Sequence, residues 1–267
     1  MADADAVRGA GVPDRVPAPG APAPGPAAPG SAVSADKVMT LVDHLSELRT
    51  RLIRCVLAVV AGAVVGFVAA PRIEDLLISP LPATAIPLQV LGPGDAFGIT
   101  IRIAIAVGII LAMPVLLYQL WAFVSPGLTP SERRTLRPWI PLALLFFTLG
   151  VAVAWVILPF AIGFLLAFTN DSIVAHLAAP PYFDFVTTLF LVFGLLMEFP
   201  IVLYALARVG IVSSARLRSS RRITILGIAI FSAVATPGGD LVSPTVLGFT
   251  MYILFELTIV AIRRSGR

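Results

Sequence analysis

Pro114 to Arg137, PVLLYQLWAFVSPGLTPSERRTLR, is the stretch from which the rest of the chain can be read. It joins two long apolar segments and packs Tyr118, Trp121 and Phe123 into a short span. It then turns at Ser125-Pro126-Gly127 and ends with Glu132 beside Arg133 and Arg134. Aromatic residues at an apolar boundary, followed by a basic cluster, mark the cytoplasmic lip of a membrane protein. A carboxylate among those arginines is unexpected in a plain topology signal, and it makes this loop the first place to look for function.

Composition agrees with a membrane reading. Of 267 residues, 58% are hydrophobic and 13% charged, whereas soluble domains are about one quarter charged. The net charge of +4 does not point to nucleic acid, because the arginines fall in clusters between apolar runs. The single cysteine, Cys55, excludes an intramolecular disulfide and reads as a small buried hydrophobe.

Residues 1–36 are rich in proline, alanine and glycine and show no apolar period, which predicts a disordered cytoplasmic tail. A membrane domain is expected over residues 37–267. Leu41, Leu45, Leu48 and Leu52 form one helical stripe. Thr40 and Asp43 resemble a capping box, so an amphipathic helix leads into the first span, Leu52 to Ala70. Pro71 marks its exit, with a short interfacial helix at Ile73 to Ile78. The proline-rich segment 71–98 is read as an external loop. Further spans are expected at Ile99–Leu117, with Arg102 snorkelling near its outer end, at Trp139–Phe168, and at Phe185–Ala207 after an external turn from Asn170 to Asp184. The last pair is Ile223–Ala235 and a segment starting at Ser243-Pro244, read as N-cap and first helical residue, and ending at Ile262. Thirteen residues make roughly 20 Å of helix, so this pair either thins the bilayer or forms a re-entrant hairpin. Of 19 Lys and Arg, only Arg72 and Arg102 fall in segments read as external. The expectation is an all-α integral membrane protein with six segments, the last two short, and both termini cytoplasmic.

Nothing in the sequence resembles catalytic machinery: there is no H-E-x-x-H, G-x-S-x-G or phosphate-cradling loop, and His176 reads as a solvated loop residue. Neither an enzyme nor a cofactor is expected. Four carboxylates draw interest. Glu132 completes a capping sequence, Thr129-Pro130-Ser131-Glu132. Glu47 can form an exposed i,i+4 pair with Arg51, worth only ~0.2–0.5 kcal/mol. Both lie on the same side of the membrane, where two separated anions could receive adjacent guanidinium groups. Glu198 lies within a span, at a cost of ~2.5–3.5 kcal/mol near its centre, and Pro200 invites a local kink. Glu256 lies close enough to Arg263 to be explained by interfacial solvation. A small-solute transporter using Glu198 as a proton relay is the alternative reading, and an assembly scaffold without cargo contact is a third.

His44-Leu-Ser-Glu-Leu-Arg-Thr-Arg-Leu52 resembles the H-L-x-E-L-R-x-R-L signature of the TatC family, the multispanning subunit of the twin-arginine protein translocase. Tyr118-Gln-Leu-Trp-Ala-Phe123, Pro126-Gly-Leu128 and Glu132-Arg133-Arg134 resemble its first cytoplasmic loop. Phe193-Gly194 with Glu198-Phe-Pro200 resembles its fourth span, and Thr236-Pro237 with Asp240 its last external turn. The resemblance implies a multi-pass protein of the cell membrane, with six helices in a cupped-hand arrangement. It implies recognition of folded cargo through signal peptides bearing two consecutive arginines, at Glu47 and Glu132 together with His44, Leu45, Arg49, Phe123, Pro126 and Gly127. It also implies an intramembrane polar site at Glu198 and docking of single-span Tat partner subunits near Thr236 and Glu256. Further copies of the chain within the complex and transport driven by the proton-motive force follow from the same resemblance.

Overall fold

The computed structural model describes residues 41–81, 87–169, 176–236 and 239–264. The tail expected over residues 1–36 and the cap expected at Thr40 lie outside them. The described residues form helices α1 Leu41–Ile78, α2 Asp95–Val124, α3 Pro130–Leu136, α4 Trp139–Leu166, α5 Ala179–Leu196, α6 Phe199–Arg208, α7 Ser214–Ser219, α8 Arg221–Ala235 and α9 Val242–Arg264. Among the described residues, five helical stretches are long and apolar enough to cross a membrane: Val42–Ile78, Asp95–Gly127, Pro130–Leu166, Ala179–Arg208 and Val242–Arg264. The fifth apolar segment in chain order, α8, has 15 residues, or about 22 Å of helix, and is the short one. With 23 residues, about 35 Å, α9 is not short, which corrects the expectation of two short final helices.

Several boundaries differ from those read in the sequence. The amphipathic helix, the first span and the interfacial helix are one 38-residue helix that passes through Pro71. A proline inside a helix removes one hydrogen bond and crowds the preceding turn, but here tertiary contacts hold the far end. The Tyr182 hydroxyl donates to the Leu77 carbonyl at 2.6 Å, and Ala70 and Leu77 belong to a buried cluster. Helix α2 likewise runs through Pro114 to Val124, so the aromatic run 118–123 is helix rather than loop. Helix α5 starts at Ala179, inside the expected external turn, because prolines are tolerated in a first turn whose N–H groups have no helical partner. At the start of α9 the cap is Asp240, not Ser243: a carboxylate oxygen of Asp240 accepts from the Ser243 backbone N–H. Gly239, just before, has φ +68, a conformation that favours glycine.

The arginine-bearing helix ends, called the inner ends here, gather around one apolar cluster. Leu136 of α3, Tyr204 of α6, Leu217 of α7, Ile228 of α8 and Phe255 and Ile262 of α9 form it, with Trp121 and Trp139 packed against them. A second cluster joins the outer parts of α1, α2, α4 and α5, including Ile103, Leu158, Val186 and Leu189. Arg102 ends in an ion pair with Asp184 at 3.1 Å. The two connections at the end opposite the arginines also meet: Gln89 N–H donates to the Leu177 carbonyl at 2.9 Å, and its carbonyl accepts from Ala179 N–H at 2.8 Å.

Close helix approach depends on glycine. A Cβ on Gly62 would stand 2.7 Å from the Gly108 carbonyl oxygen across the α1–α2 seam, and one on Gly150 would stand 2.4 Å from the Phe193 carbonyl oxygen across α4–α5. Lipid is as apolar as a helix face, so membrane helices associate through such close backbone packing rather than through exclusion of water.

Candidate functional site

The antiparallel pairing of α1 and α2 brings the start of α1 beside the end of α2. Two contacts fix that junction. The His44 ring stacks on Phe123 with centroids 4.4 Å apart and planes inclined by 16°. Arg51 donates to the Gln119 side-chain carbonyl at 3.3 Å and, through Nε, to Oε1 of Glu47 at 2.8 Å. A second nitrogen of Arg51 reaches the same Glu47 oxygen. The expected i,i+4 pair is therefore present, but it is not exposed: Glu47 and Arg51 retain 17% and 19% of their side-chain exposure. Oε2 of Glu47 is buried without a hydrogen-bond partner. Leu45 and Arg49 are exposed on the same turns of α1.

From Phe123 the chain enters a 3-10 turn, Ser125–Gly127. Pro126 and Gly127 are exposed, and a Cβ on Gly127 would meet nothing within 4 Å. The capping box that starts α3 is formed as expected. The Thr129 hydroxyl accepts from the Glu132 N–H at 3.4 Å, and Oε2 of Glu132 accepts from the Thr129 N–H at 3.0 Å. The far side of the loop is anchored by buried Leu136 and by Trp139, which stacks on Tyr204 at 3.7 Å and 17°. The Tyr204 hydroxyl accepts from Arg208 Nε at 3.0 Å and Nη2 at 2.9 Å. The loop that carries Glu132 is thus tied at one end to α1 and at the other to α6.

Sequence reasoning missed Gln119, Trp139 and Tyr204. A lone amide near the end of an apolar run could have flagged Gln119. Nothing local marks the Trp139–Tyr204 stack, whose members are 65 positions apart.

Other candidate residues lie apart from this junction. Glu198 occupies the break between α5 and α6, where its backbone carbonyl accepts from Ile201 and Val202 N–H at 3.0 and 3.1 Å. The kink expected from Pro200 is therefore an interruption of the helix. Oε1 of Glu198 is buried without a hydrogen-bond partner. Thr236 is buried at the outer end of α8 and donates to the Ser232 carbonyl at 2.8 Å. Glu256 accepts from Arg221 at 2.7 Å, a pairing absent from the interfacial-solvation reading, and its other oxygen is buried without a partner. Because Arg221 opens α8 and Thr236 follows its last residue, Thr236 and Glu256 mark opposite ends of the α8–α9 pair.

These features define a multi-pass helical protein of the cell membrane, with a polar junction at its arginine-bearing end and a carboxylate at a helix break. The TatC family model, Sec-independent protein translocase protein, matches residues 43–249, and the chain belongs to that family. A TatC protein of Carboxydothermus hydrogenoformans is 35% identical over 225 residues, covering 84% of this chain and 93% of its own. The TatC protein of Escherichia coli strain K12 is 34% identical over 235 residues, covering 84% of this chain and 88% of its own. A crystal structure titled as the twin arginine translocase receptor TatC superposes with a TM-score of 0.73 at 33% identity, covering 82% of this chain and 99% of that one. These relatives favour the protein-translocase reading, and none supports the small-solute transporter.

Proposed function

We propose that this chain is the receptor subunit of a twin-arginine translocase, with its N- and C-termini cytoplasmic. The observation that carries the reading is the junction at the inner end of α1 and α2. There Arg51 links Glu47 of α1 to Gln119 of α2, His44 stacks on Phe123, and α2 leads through Pro126 and Gly127 to Glu132 in its capping box. A guanidinium presents a planar fork that pairs with a carboxylate through two parallel hydrogen bonds. Two carboxylates on neighbouring elements offer one acceptor to each of two consecutive arginines. Exposed Leu45, Arg49, Pro126 and Gly127 border the junction.

The apolar part of the signal peptide then follows the spans toward Glu198. The unpartnered oxygen at that helix break offers a polar site inside the membrane. Single-span partner subunits dock along α8 and α9, between Thr236 at the outer end and the Arg221–Glu256 pair at the inner end. Further copies of this chain join the same complex. Movement of folded cargo draws on the proton-motive force, and no chemical step or cofactor is assigned to this subunit.

Site-specific photocrosslinking from positions 47, 123, 132 and 198 to a twin-arginine signal peptide tests this reading. Crosslinks from the first three positions at the peptide's arginine end, and from position 198 at its apolar end, are expected. Glu47→Ala and Glu132→Ala should each lose binding and export, and a twin-lysine peptide should bind poorly. Wild-type binding and export by both alanine variants would refute charge pairing at this junction.

A further inference from the structure

The carboxylate assigned above to a peptide arginine is already occupied. Arg51 holds Oε1 of Glu47 through two nitrogens and reaches across the seam to Gln119 through a third, at 3.3 Å. Oε2 of Glu47 is buried and unpartnered. An outside guanidinium therefore has no access to Glu47 in this conformation. Arg51 also satisfies the carboxylate incompletely, because its contacts converge on one oxygen. A guanidinium that approached as a fork would engage both oxygens, and fork-to-fork pairs are the stronger geometry. If Arg51 moved, it would keep an acceptor, since Gln119 already receives one of its N–H groups.

We propose that Arg51 is a resting-state placeholder for the signal peptide. Its guanidinium fills the Glu47 site until a peptide arginine displaces it toward Gln119. The inference rests on Glu47 as a docking carboxylate and adds a competitor that sets both affinity and discrimination. Exchange of one guanidinium for another keeps the half-buried carboxylate charged and paired throughout, so its desolvation is offset at each stage. An ammonium, which lacks the fork, cannot match the two nitrogens that Arg51 supplies. The internal arginine thereby raises the threshold for lysine-bearing peptides more than for arginine-bearing ones.

The bland alternative is that Arg51 only braces α1 against α2 through Gln119. The two roles differ in sign. Displacement predicts that Arg51→Gln strengthens binding by removing the competitor, whereas Gln119→Leu weakens it by removing the landing site. A brace predicts that both substitutions loosen the junction and weaken binding together.

The test uses full-length protein in lipid nanodiscs and two fluorescent synthetic signal peptides, one with an Arg-Arg pair and one with Lys-Lys in its place. For Arg51→Gln, Arg-Arg binding about three- to tenfold tighter is expected, the scale of a partly exposed charge-assisted contact. The Arg-Arg over Lys-Lys preference should narrow. For Gln119→Leu, weaker Arg-Arg binding is expected. Thermal melts confirm that both variants remain folded. Loss of binding in both variants, or no change in Arg51→Gln, overturns the placeholder. Glu47→Gln separates the two levels: unchanged binding there removes the docking carboxylate itself, whatever Arg51 does.

Discussion

Replacing Gly108 by alanine tests the α1–α2 seam, on which the inner junction depends. A Cβ at this position would lie 2.7 Å from both the Val59 carbonyl oxygen and the Ala63 nitrogen, and 2.9 Å from the Ala63 Cα. Favourable non-bonded contact begins near ~3.5 Å, so the helices must part locally by several tenths of an ångström. Every close neighbour is backbone, and no side chain can rotate aside. Overpacking of this kind typically costs ~1–3 kcal/mol. Gly163 in α4 is the internal control, because a Cβ there meets nothing within 4 Å. There the same substitution should stabilise by ~0.5–1 kcal/mol through reduced backbone freedom in the unfolded chain. Reversible unfolding in mixed micelles with rising denaturing detergent, followed by tryptophan fluorescence, measures both. Gly108→Ala should unfold earlier than wild type, and Gly163→Ala later. If Gly108→Ala were as stable as Gly163→Ala, the close approach of α1 and α2 would not exist as described.

Two further substitutions separate structure from function. Glu132→Gln retains an oxygen to accept the Thr129 N–H but loses the charge, so α3 should stay helical while twin-arginine binding falls. Thr129→Ala should instead cost ~1 kcal/mol at the helix start, and hydrogen exchange at Glu132 N–H distinguishes the two. Glu198→Leu removes a buried oxygen without a partner, a burden of ~1–3 kcal/mol. It should raise the unfolding midpoint while reducing export in a vesicle transport assay. Unchanged export would remove Glu198 from the transport path.

Local chemistry made much of this protein legible in its sequence. Long apolar runs, arginines grouped at their ends and the Thr129–Glu132 capping box depend on residues within a few positions of one another, and the structure contains all of them. Pro71 misled the reading of α1, and the span read as ending at Leu117 continues to Val124 in α2. Pro71 and Pro114 each remove a hydrogen bond and crowd the preceding turn, yet both helices continue to ends held by tertiary contacts at Leu77 and Phe123. Helical periodicity was also of little use inside the spans: a face against lipid and a face against another helix are both apolar. Which glycines meet, and which helix ends gather, is decided by backbone complementarity between segments far apart in the chain.

The inner junction divides along the same line. Its carboxylates, its aromatic run and its rigid turn are properties of short stretches, and the sequence by itself determined them. That Arg51 reaches Gln119 across 68 positions, that His44 lies on Phe123, and that Glu47 is half-buried with one oxygen unpartnered came only from the tertiary structure. The physical reason is that partner choice and desolvation of a charge are set by what packs around it: Arg51 of the same helix takes one oxygen of Glu47, and Gln119 of the second helix holds that arginine in turn.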